Sequence, residues 1–347
     1  MKGNILNIER YHYTDGNGIR IMVFMKGCNL RCLWCSNPES QRYTPQLAFN
    51  KNKCVNCGRC ITQCTQHAIY MDGGKVYMDH SLCRNCGRCV NVCFSDARIL
   101  YGKEMSVDEV MAEILKERNY FVRSKGGVTF SGGEAALQAD FVRECSRRCR
   151  LEYINTAIET AGAVPWEQLW HAVEYIDEVL FDVKTLDDMD FKKISEEPLQ
   201  LVLDNLAKLC SHGKQVRIRC PIIPGFNHPI PYRAELDEAR PCEASDIRDA
   251  RKGIPYRAEP DEARPCEASD MRDARMGKEF IKKVVNVALE NGVKQIDLLP
   301  FHQMGSYKYK SLDKPYAFKD EKALERDAVV PYAEFIRANG IKCLIGG

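Results

Sequence analysis

Residues 21–39 read IMVFMKGCNLRCLWCSNPE. The apolar run from Ile21 to Met25 predicts a buried strand, and the loop after it carries three cysteines with the spacing C-x3-C-x2-C. Three thiolates on a four-iron, four-sulfide (4Fe-4S) cluster leave one iron without a protein ligand. An iron with an open position is reactive. We therefore predict the catalytic centre at Cys28, Cys32 and Cys35.

The open iron predicts a small chelating ligand. An amine and a carboxylate on one molecule would fill the position, and the methionine end of S-adenosylmethionine offers both. Trp34, directly before Cys35, strengthens this pattern and is a candidate contact for the bound ligand. The alternatives are a zinc site with three thiolates and a chance grouping of cysteines.

Two longer cysteine runs follow, each with the spacing C-x2-C-x2-C-x3-C. This is the bacterial ferredoxin spacing, in which the fourth cysteine binds the neighbouring cluster. Two tandem runs therefore predict two more 4Fe-4S clusters, which makes three in the chain. The predicted ligand sets are Cys54, Cys57, Cys60 and Cys93 for one cluster, and Cys83, Cys86, Cys89 and Cys64 for the other. Two structural zinc sites are the alternative, and Thr65 and Phe94 replace the proline that commonly follows the fourth cysteine.

The composition limits the possible classes of protein. A chain of 347 residues can hold one large core with a smaller inserted one. Lys plus Arg is 50 and Asp plus Glu is 48, so a net charge of +2 does not indicate a nucleic-acid partner. Without an export signal or an apolar run of about 18 residues, we expect a cytoplasmic protein with no membrane partner. In that compartment, the 18 cysteines are expected to hold metal rather than form disulfides.

Apolar strand patterns alternate with helical patterns outside residues 47–100. Between the first two strands, Ser106 and Glu109 form a capping-box pattern at the start of a helical apolar stripe. The alternation predicts an α/β fold with a parallel sheet or barrel. The six predicted strands are Ile21 to Met25, Val128 to Phe130, Tyr153 to Ile158, Glu178 to Asp182, Val216 to Ile223 and Gln295 to Phe301.

Polar or glycine-rich residues lie at the end of each predicted strand, and such ends meet at one mouth of a barrel. Gly132 and Gly133 would let the backbone approach a ligand, Glu134 could accept from an ammonium group, and Lys184 could bind a carboxylate. Further candidates from the same strand ends are Asp182, Arg219 and His302. Taken singly, most of these residues have a simpler interpretation. The Gly132-Gly133-Glu134 segment could be a surface turn, and Lys184 could be solvated. Arg219 could pair with a local acid in its strand, and His302 could be a histidine at the barrel rim.

Together these residues resemble the radical S-adenosylmethionine superfamily, and within it the activating enzymes of glycyl radical enzymes. The two ferredoxin runs resemble the larger members, whose partners include diol and glycerol dehydratases, choline lyase and arylacetate decarboxylases. Asn17 and Ala135 stand where the family usually has proline, and Asn17 lies in a loop expected to face the partner. The matching segments are Asp15 to Arg20, Cys28 to Glu39, Ser131 to Glu134, Asp182 to Lys184, Ile223 to Phe226 and Leu298 to His302.

The resemblance implies a partial (β/α)6 TIM-like barrel with an inserted ferredoxin-like domain that holds two clusters. The implied bounds are residues 1–46 and 101–347 for the barrel and residues 47–100 for the insert. The implied contacts are Gly132, Gly133 and Glu134 at the methionine amine, Lys184, Arg219 and His302 elsewhere on S-adenosylmethionine, and Asp182 with Glu159 at a monovalent-cation site.

The resemblance also implies a reaction. An electron from a flavodoxin or ferredoxin cleaves S-adenosylmethionine, and the 5'-deoxyadenosyl radical takes a hydrogen from a glycine of the partner glycyl radical enzyme. The two extra clusters either relay the electron or belong to a domain that docks the partner. The alternatives are another radical S-adenosylmethionine enzyme acting on a peptide or small molecule, and a ferredoxin-type electron carrier. The carrier hypothesis leaves the Cys28 group unexplained.

A charged segment occurs twice in tandem, as residues 230–253 and 254–277, with differences at three positions. Its composition offers little to bury, so a flexible loop of the barrel is predicted. Cys242 and Cys266 recur with the unit, which makes them poor candidates for cluster ligands.

Overall fold

The computed structural model describes residues 1–228 and 268–346. Its strands form one nine-stranded sheet and two small sheets of two strands each. The strands are β1 (Lys2–His12), β2 (Arg20–Met25), β3 (Gln46–Phe49), β4 (Ile69–Asp72), β5 (Lys75–Met78), β6 (Arg98–Tyr101), β7 (Lys103–Ser106), β8 (Gly127–Gly132), β9 (Asn155–Thr160), β10 (Glu178–Asp182), β11 (Gln215–Ile222), β12 (Gln295–Pro300) and β13 (Lys342–Ile345).

The large sheet has the order β13-β12-β11-β10-β9-β8-β2-β1-β7. Strand β2 and strands β8 to β13 run parallel, whereas β1 pairs antiparallel with both β2 and β7. The predicted α/β fold with six parallel strands is confirmed, although the third strand lies two residues later, at Asn155–Thr160. The antiparallel strands β1 and β7 and the short parallel strand β13 were not predicted.

Helices follow the parallel strands and pack on the large sheet. The predicted capping box is confirmed, because the Ser106 hydroxyl accepts from the Glu109 N–H at 3.2 Å and the Glu109 carboxylate accepts from the Ser106 N–H at 2.7 Å. The helices are α1 (Arg59–Gln63), α2 (Val107–Lys116), α3 (Arg118–Ser124), α4 (Ala139–Leu151), α5 (Trp166–Val173), α6 (Asp188–Lys192), α7 (Leu199–Ser211), α8 (Ala268–Glu290), α9 (Ser306–Ser311) and α10 (Arg326–Ala338), with 3-10 turns at Pro38–Ser40, Lys51–Lys53 and Ala135–Gln138.

The parallel strands are buried along almost their whole length. In β2, for example, only Phe24 has appreciable exposure, as expected for a strand that is covered on both faces. One large hydrophobic core packs around the sheet. A second, smaller core lies within residues 47–97 and contains Leu47, Phe49, Ile69 and Val76 together with several cysteines.

The segment with the two long cysteine runs consists of two matched half-units. In each, the asparagine directly before the second cysteine of the run lies in the left-handed region, Asn56 at φ 55° and Asn85 at φ 54°. The Asn56 side chain accepts from the Val76 N–H at 2.9 Å, and the Asn85 side chain accepts from the Leu47 N–H at 2.8 Å. Equivalent side chains therefore fix the start of each cysteine loop to an adjacent strand.

The tandem repeat lies largely outside the described residues, and so do Cys242 and Cys266. Residues 268–277, which end its second copy, form the beginning of α8. Across residues 1–228 and 268–346, no helix has both the length and the apolar character needed to cross a membrane.

Candidate active site

One cavity opens at the carboxyl ends of β2, β8, β9, β10, β11 and β12, as predicted for the site. Every residue predicted for the main site lines it, with the exception of Arg219. The predicted lining residues are Cys28, Cys32, Trp34, Cys35, Gly132, Gly133, Glu134, Asp182, Lys184 and His302, and Glu159 joins them.

The three thiols are largely shielded from water. Burial, reinforced by the Glu134 charge, raises the pKa of Cys28 to about 12, and burial with the neighbouring Cys32 raises that of Cys35 to about 12. Free thiols here would stay protonated, whereas bound iron replaces the proton with a compensating charge.

Thiolate ligands, a cavity on one side and a close glycine backbone together fit an iron-sulfur cluster with one open iron. In the described part of the chain, no three Cys, His, Asp or Glu side chains converge closely enough to chelate a single ion. A cubane does not require such convergence, because each thiolate bonds to a different iron.

The Gly132-Gly133-Glu134 segment lies directly against the start of the cysteine loop. The Gly133 N–H donates to the Met25 carbonyl at 2.9 Å, and the Glu134 N–H donates to the Gly27 carbonyl at 2.9 Å. Gly132 has φ +99°, and a Cβ on Gly133 would lie 2.0 Å from the Gly27 carbonyl oxygen. Both glycines are therefore required for this close approach.

We expect Gly133→Ala to lower S-adenosylmethionine cleavage about 100-fold, because a shift of roughly 1 Å in a reacting group has an effect of this size. The added methyl group meets backbone atoms of Gly27, which cannot move without displacing Cys28. The measurement is the rate of 5'-deoxyadenosine formation, with iron content determined on the same sample.

Gly213→Ala is the control, because a Cβ there meets nothing within 4 Å. Its φ of +76° should cost about 1–2 kcal/mol of stability without a change in rate. A normal rate in Gly133→Ala would contradict the proposed close contact.

The Glu134 carboxylate joins the ends of two strands. It accepts from the Thr160 hydroxyl at 2.7 Å, the Ala161 N–H at 2.9 Å and the Ala136 N–H at 3.1 Å. Burial raises the pKa of Glu134, and these donors oppose that change. A carboxylate has about four acceptor positions, so one remains for a donor in the cavity.

A pair of opposite charges lines the same cavity. Lys184 Nζ is 3.1 Å from Asp182 Oδ2. Burial opposes the charge on Lys184, but the Asp182 carboxylate and the ionised forms of Cys32 and Cys28 together outweigh it and raise the pKa of the ammonium group. Lys184 is therefore a firmly charged cation beside the cysteines.

Arg219 does not line the cavity, and its guanidinium is engaged by carboxylates. It pairs with Glu159 and lies 3.2 Å from Asp15, while the Ser131 hydroxyl also donates to Glu159. Burial raises the pKa of Glu159 to about 7; the Arg219 charge opposes this shift, whereas the Asp15 charge adds to it. Burial would also raise the pKa of Asp15, but the Arg219 charge and the hydrogen bonds with Glu159 and Thr14 together outweigh it, and the pKa is lowered.

Two ring side chains border the cavity. Trp34 is buried, with its ring centroid 4.5 Å from that of Phe226 and 6.4 Å from that of Phe318. His302 Nδ1 accepts from the Met304 N–H at 3.4 Å. Burial lowers the pKa of His302, so its ring is neutral at physiological pH.

Sequence reasoning missed a clamp behind the cysteine loop. Lys308, at the start of α9, lies 2.6 Å from the Glu39 carboxylate and donates to the Asn37 side chain at 2.7 Å. The neighbouring Tyr309 hydroxyl donates to the Cys35 carbonyl at 2.9 Å. These partners lie about 270 positions apart in sequence, and no local pattern connects them. Lys26 and Lys314 complete the clamp with bonds to the Glu39 carbonyl at 2.5 Å and the Pro38 carbonyl at 3.1 Å.

We expect Lys308→Met to destabilise the protein by about 1–3 kcal/mol, because the buried Glu39 carboxylate loses its charged donor. The cysteine loop should also release iron to a chelator faster. Anaerobic urea unfolding and chelator-induced bleaching measure these effects. Lys310→Met is the control, since Lys310 lies on the same helix and is exposed. Equal behaviour of the two variants would contradict the clamp.

One of the two predicted ligand sets for the insert lines a single small pocket. Cys64 meets Cys83, Cys86 and Cys89 there, although Cys64 belongs to the other cysteine run. Of the remaining set, Cys60 is in the core of residues 47–97, while Cys54 and Cys93 pack against that core. Cys57 and Cys86 are exposed.

The sequence matches the model of the radical SAM superfamily (SAM is S-adenosylmethionine) over residues 22–229, more than half of the chain. The chain therefore belongs to that superfamily. Membership implies a 4Fe-4S cluster and S-adenosylmethionine, and the protein is an enzyme that acts by radical chemistry.

Curated relatives narrow the class. A (2S)-3-sulfopropanediol dehydratase activating enzyme from Klebsiella oxytoca is 33% identical over 99% of this chain and 97% of its own. A trans-4-hydroxy-L-proline dehydratase activating enzyme from Clostridioides difficile is 31% identical over 99% of each chain. A (2S)-3-sulfopropanediol sulfolyase activating enzyme from Bilophila wadsworthia is 44% identical over 65% of this chain and 76% of its own. Within the superfamily, the chain is a member of the glycyl radical enzyme activating enzymes.

Proposed function

We propose that the chain activates a partner glycyl radical enzyme with S-adenosylmethionine bound at the Cys28, Cys32 and Cys35 cluster. The single cavity that combines these thiols with Gly133 and Lys184 carries the proposal. When bound and reduced, the cluster supplies the electron that cleaves S-adenosylmethionine to methionine and a 5'-deoxyadenosyl radical. That radical takes a hydrogen atom from the α carbon of the partner glycine and leaves as 5'-deoxyadenosine.

Residues of the cavity are assigned to parts of S-adenosylmethionine by their chemistry. The free acceptor position of Glu134 and the adjacent glycine backbone suit the methionine amine. The cationic Lys184 suits the carboxylate, and the neutral His302 ring at the rim suits the adenosyl end. Asp182 and Glu159 are proposed ligands of a monovalent cation. Because Arg219 is engaged by Glu159, we assign it to positioning that carboxylate.

We further propose that the large sheet is the wall of a partial (β/α)6 TIM-like barrel and that residues 47–100 are an inserted ferredoxin-like domain. The separate small core and the two matched half-units support an independent domain. The pocket that joins Cys64 to Cys83, Cys86 and Cys89 supports the crossed ligand assignment. The chain would then hold three 4Fe-4S clusters.

The partner is proposed to be a dehydratase, lyase or decarboxylase of the glycyl radical class. The electron donor is proposed to be a flavodoxin or ferredoxin.

Anaerobically reconstituted protein should contain about twelve irons and form 5'-deoxyadenosine with dithionite. Addition of the correct partner should produce a glycyl radical signal in electron paramagnetic resonance (EPR). Cleavage without activation of any such partner would favour an enzyme acting on a peptide or small molecule. Absence of S-adenosylmethionine cleavage would contradict the proposed function and favour a ferredoxin-type electron carrier.

We expect Cys57→Ala and Cys86→Ala to lose cleavage with reduced flavodoxin but to retain it with dithionite. Both thiols are exposed, which suits clusters that receive electrons from a protein donor. The measurement is 5'-deoxyadenosine formation with each reductant. Unchanged rates with both would favour partner docking as the role of the domain.

A further inference from the structure

Arg98, at the start of β6, is a buried cation that has no counter-ion among the described residues. Only 2% of the residue is exposed. Its guanidinium carbon lies 4.2 Å from the centroid of the Phe49 ring, and Nη1 lies 3.1 Å from the Met78 sulfur. Nη2 has no hydrogen-bond partner, and no carboxylate pairs with Arg98 within the described ranges.

Burying a cation in this way destabilises the protein unless a negative charge lies nearby. A buried ion without a partner loses several kcal/mol of hydration free energy. Two other buried arginines avoid this cost by different means. Arg20 donates four hydrogen bonds to neutral oxygens, and Arg217 lies 2.6 Å from the Glu178 carboxylate. Arg98 has neither solution, so the part of the chain that the structure describes leaves its charge uncompensated.

Arg98 lies on the face of β6 that is turned towards the loop of one predicted cluster. Leu100, two residues later and so on the same face, lies 3.0 Å from the position of a Cβ built on Gly87, which stands between Cys86 and Cys89. Leu47, which pairs with Leu100, lines the pocket that contains Cys64, Cys83, Cys86 and Cys89. Four thiolates around a cubane would bring negative charge to this place.

The matched half-unit provides an internal comparison. Arg98 stands five residues after Cys93, and Ile69 stands five residues after Cys64. Each follows a buried alanine and each starts a strand, β6 in one case and β4 in the other. Ile69 is also buried, at 3% exposure. Equivalent positions therefore hold a hydrocarbon in one half-unit and a cation in the other.

We propose that Arg98 is the built-in counter-charge of the cluster held by Cys64, Cys83, Cys86 and Cys89, and that it raises the reduction potential of this cluster above that of its twin. The inference rests on the proposed function, because it requires both clusters of the insert. One-electron reduction adds a negative charge to an already anionic cluster, so a nearby buried cation favours the reduced state. An electron entering the domain would then reside on this cluster first.

The test is an EPR-monitored redox titration of the reconstituted full chain. Arg98→Ile, which carries the residue of the other half-unit, should shift one insert signal at least tenfold in its reduction equilibrium, or about 59 mV more negative. The other two signals should not move. Arg98→Lys should keep most of the wild-type potential because the charge is retained. Arg88→Ile is the control, since Arg88 lines the same pocket but is exposed to screening water.

Each outcome decides the question. Three unchanged potentials in an Arg98→Ile protein with about twelve irons would overturn the inference while leaving the proposed function intact. Loss of about four irons in Arg98→Ile but not in Arg98→Lys would support it, and loss in both variants would overturn it in favour of a packing role. Wild-type protein with only about four irons would instead contradict the proposed insert clusters.

Discussion

Replacing Cys32 with alanine is expected to abolish 5'-deoxyadenosine formation while about eight of about twelve irons remain bound. Cys32 is the middle thiol of the proposed open-iron group and lies in the cavity with Lys184. Two thiolates cannot replace three in holding the proposed cluster, whereas residues 47–100 have their own core and their own eight cysteines. Iron content and 5'-deoxyadenosine formation with dithionite measure the two effects separately.

A core cysteine provides the control for Cys32→Ala. Cys220 is fully buried in β11 and belongs to none of the three cysteine groups. Cys220→Ala removes one sulfur from the core, so it should cost stability but leave both iron content and cleavage unchanged. If Cys32→Ala still produced 5'-deoxyadenosine at the wild-type rate, the assignment of the reactive cluster to this group would be wrong.

Local patterns were sufficient to predict the centre of the fold. The six predicted parallel strands are mostly buried segments of five to eight residues, and their polar ends meet because parallel strands share one direction. The cysteine spacing and the Gly132-Gly133-Glu134 segment then place most of the cavity lining. Strands β1 and β13 were missed for physical reasons. Strand β1 is polar and largely exposed, and β13 has only four residues at the sheet edge.

Other parts of the site depend on contacts that no local pattern encodes. The pairing of Arg219 with Asp15 joins β11 to a loop about 200 positions earlier, and the Lys308 clamp spans a longer separation. Arg98 is equally hidden in the sequence, because an arginine at the start of a strand is ordinarily solvated. Its lack of a counter-ion within residues 1–228 and 268–346 becomes visible only from its neighbours in space.

The Arg219→Gln variant should lose about 3–5 kcal/mol of stability at pH 8, the usual cost of breaking a buried ion pair from one side. Arg219 is the cation that Glu159 and Asp15 share, and without it their charges face each other in the protein interior. Anaerobic urea unfolding measures the loss. Arg143→Gln is the control, because the Arg143 and Glu174 side chains lie at the surface, 31% and 37% exposed, and their pair should contribute only about 0–1 kcal/mol.

The pH dependence of this loss follows from the pKa of Glu159, which burial raises from its ordinary 4.5 to about 7. A group with a raised folded-state pKa contributes stability that is complete below pH 4.5 and is lost as the pH rises through 7. Removing Arg219 raises this pKa further. The stability of the variant should therefore be closest to that of the wild type near pH 6 and fall below it towards pH 8. A loss of equal size at both pH values would show that packing of the Arg219 side chain, rather than its charge, stabilises the mouth of the cavity.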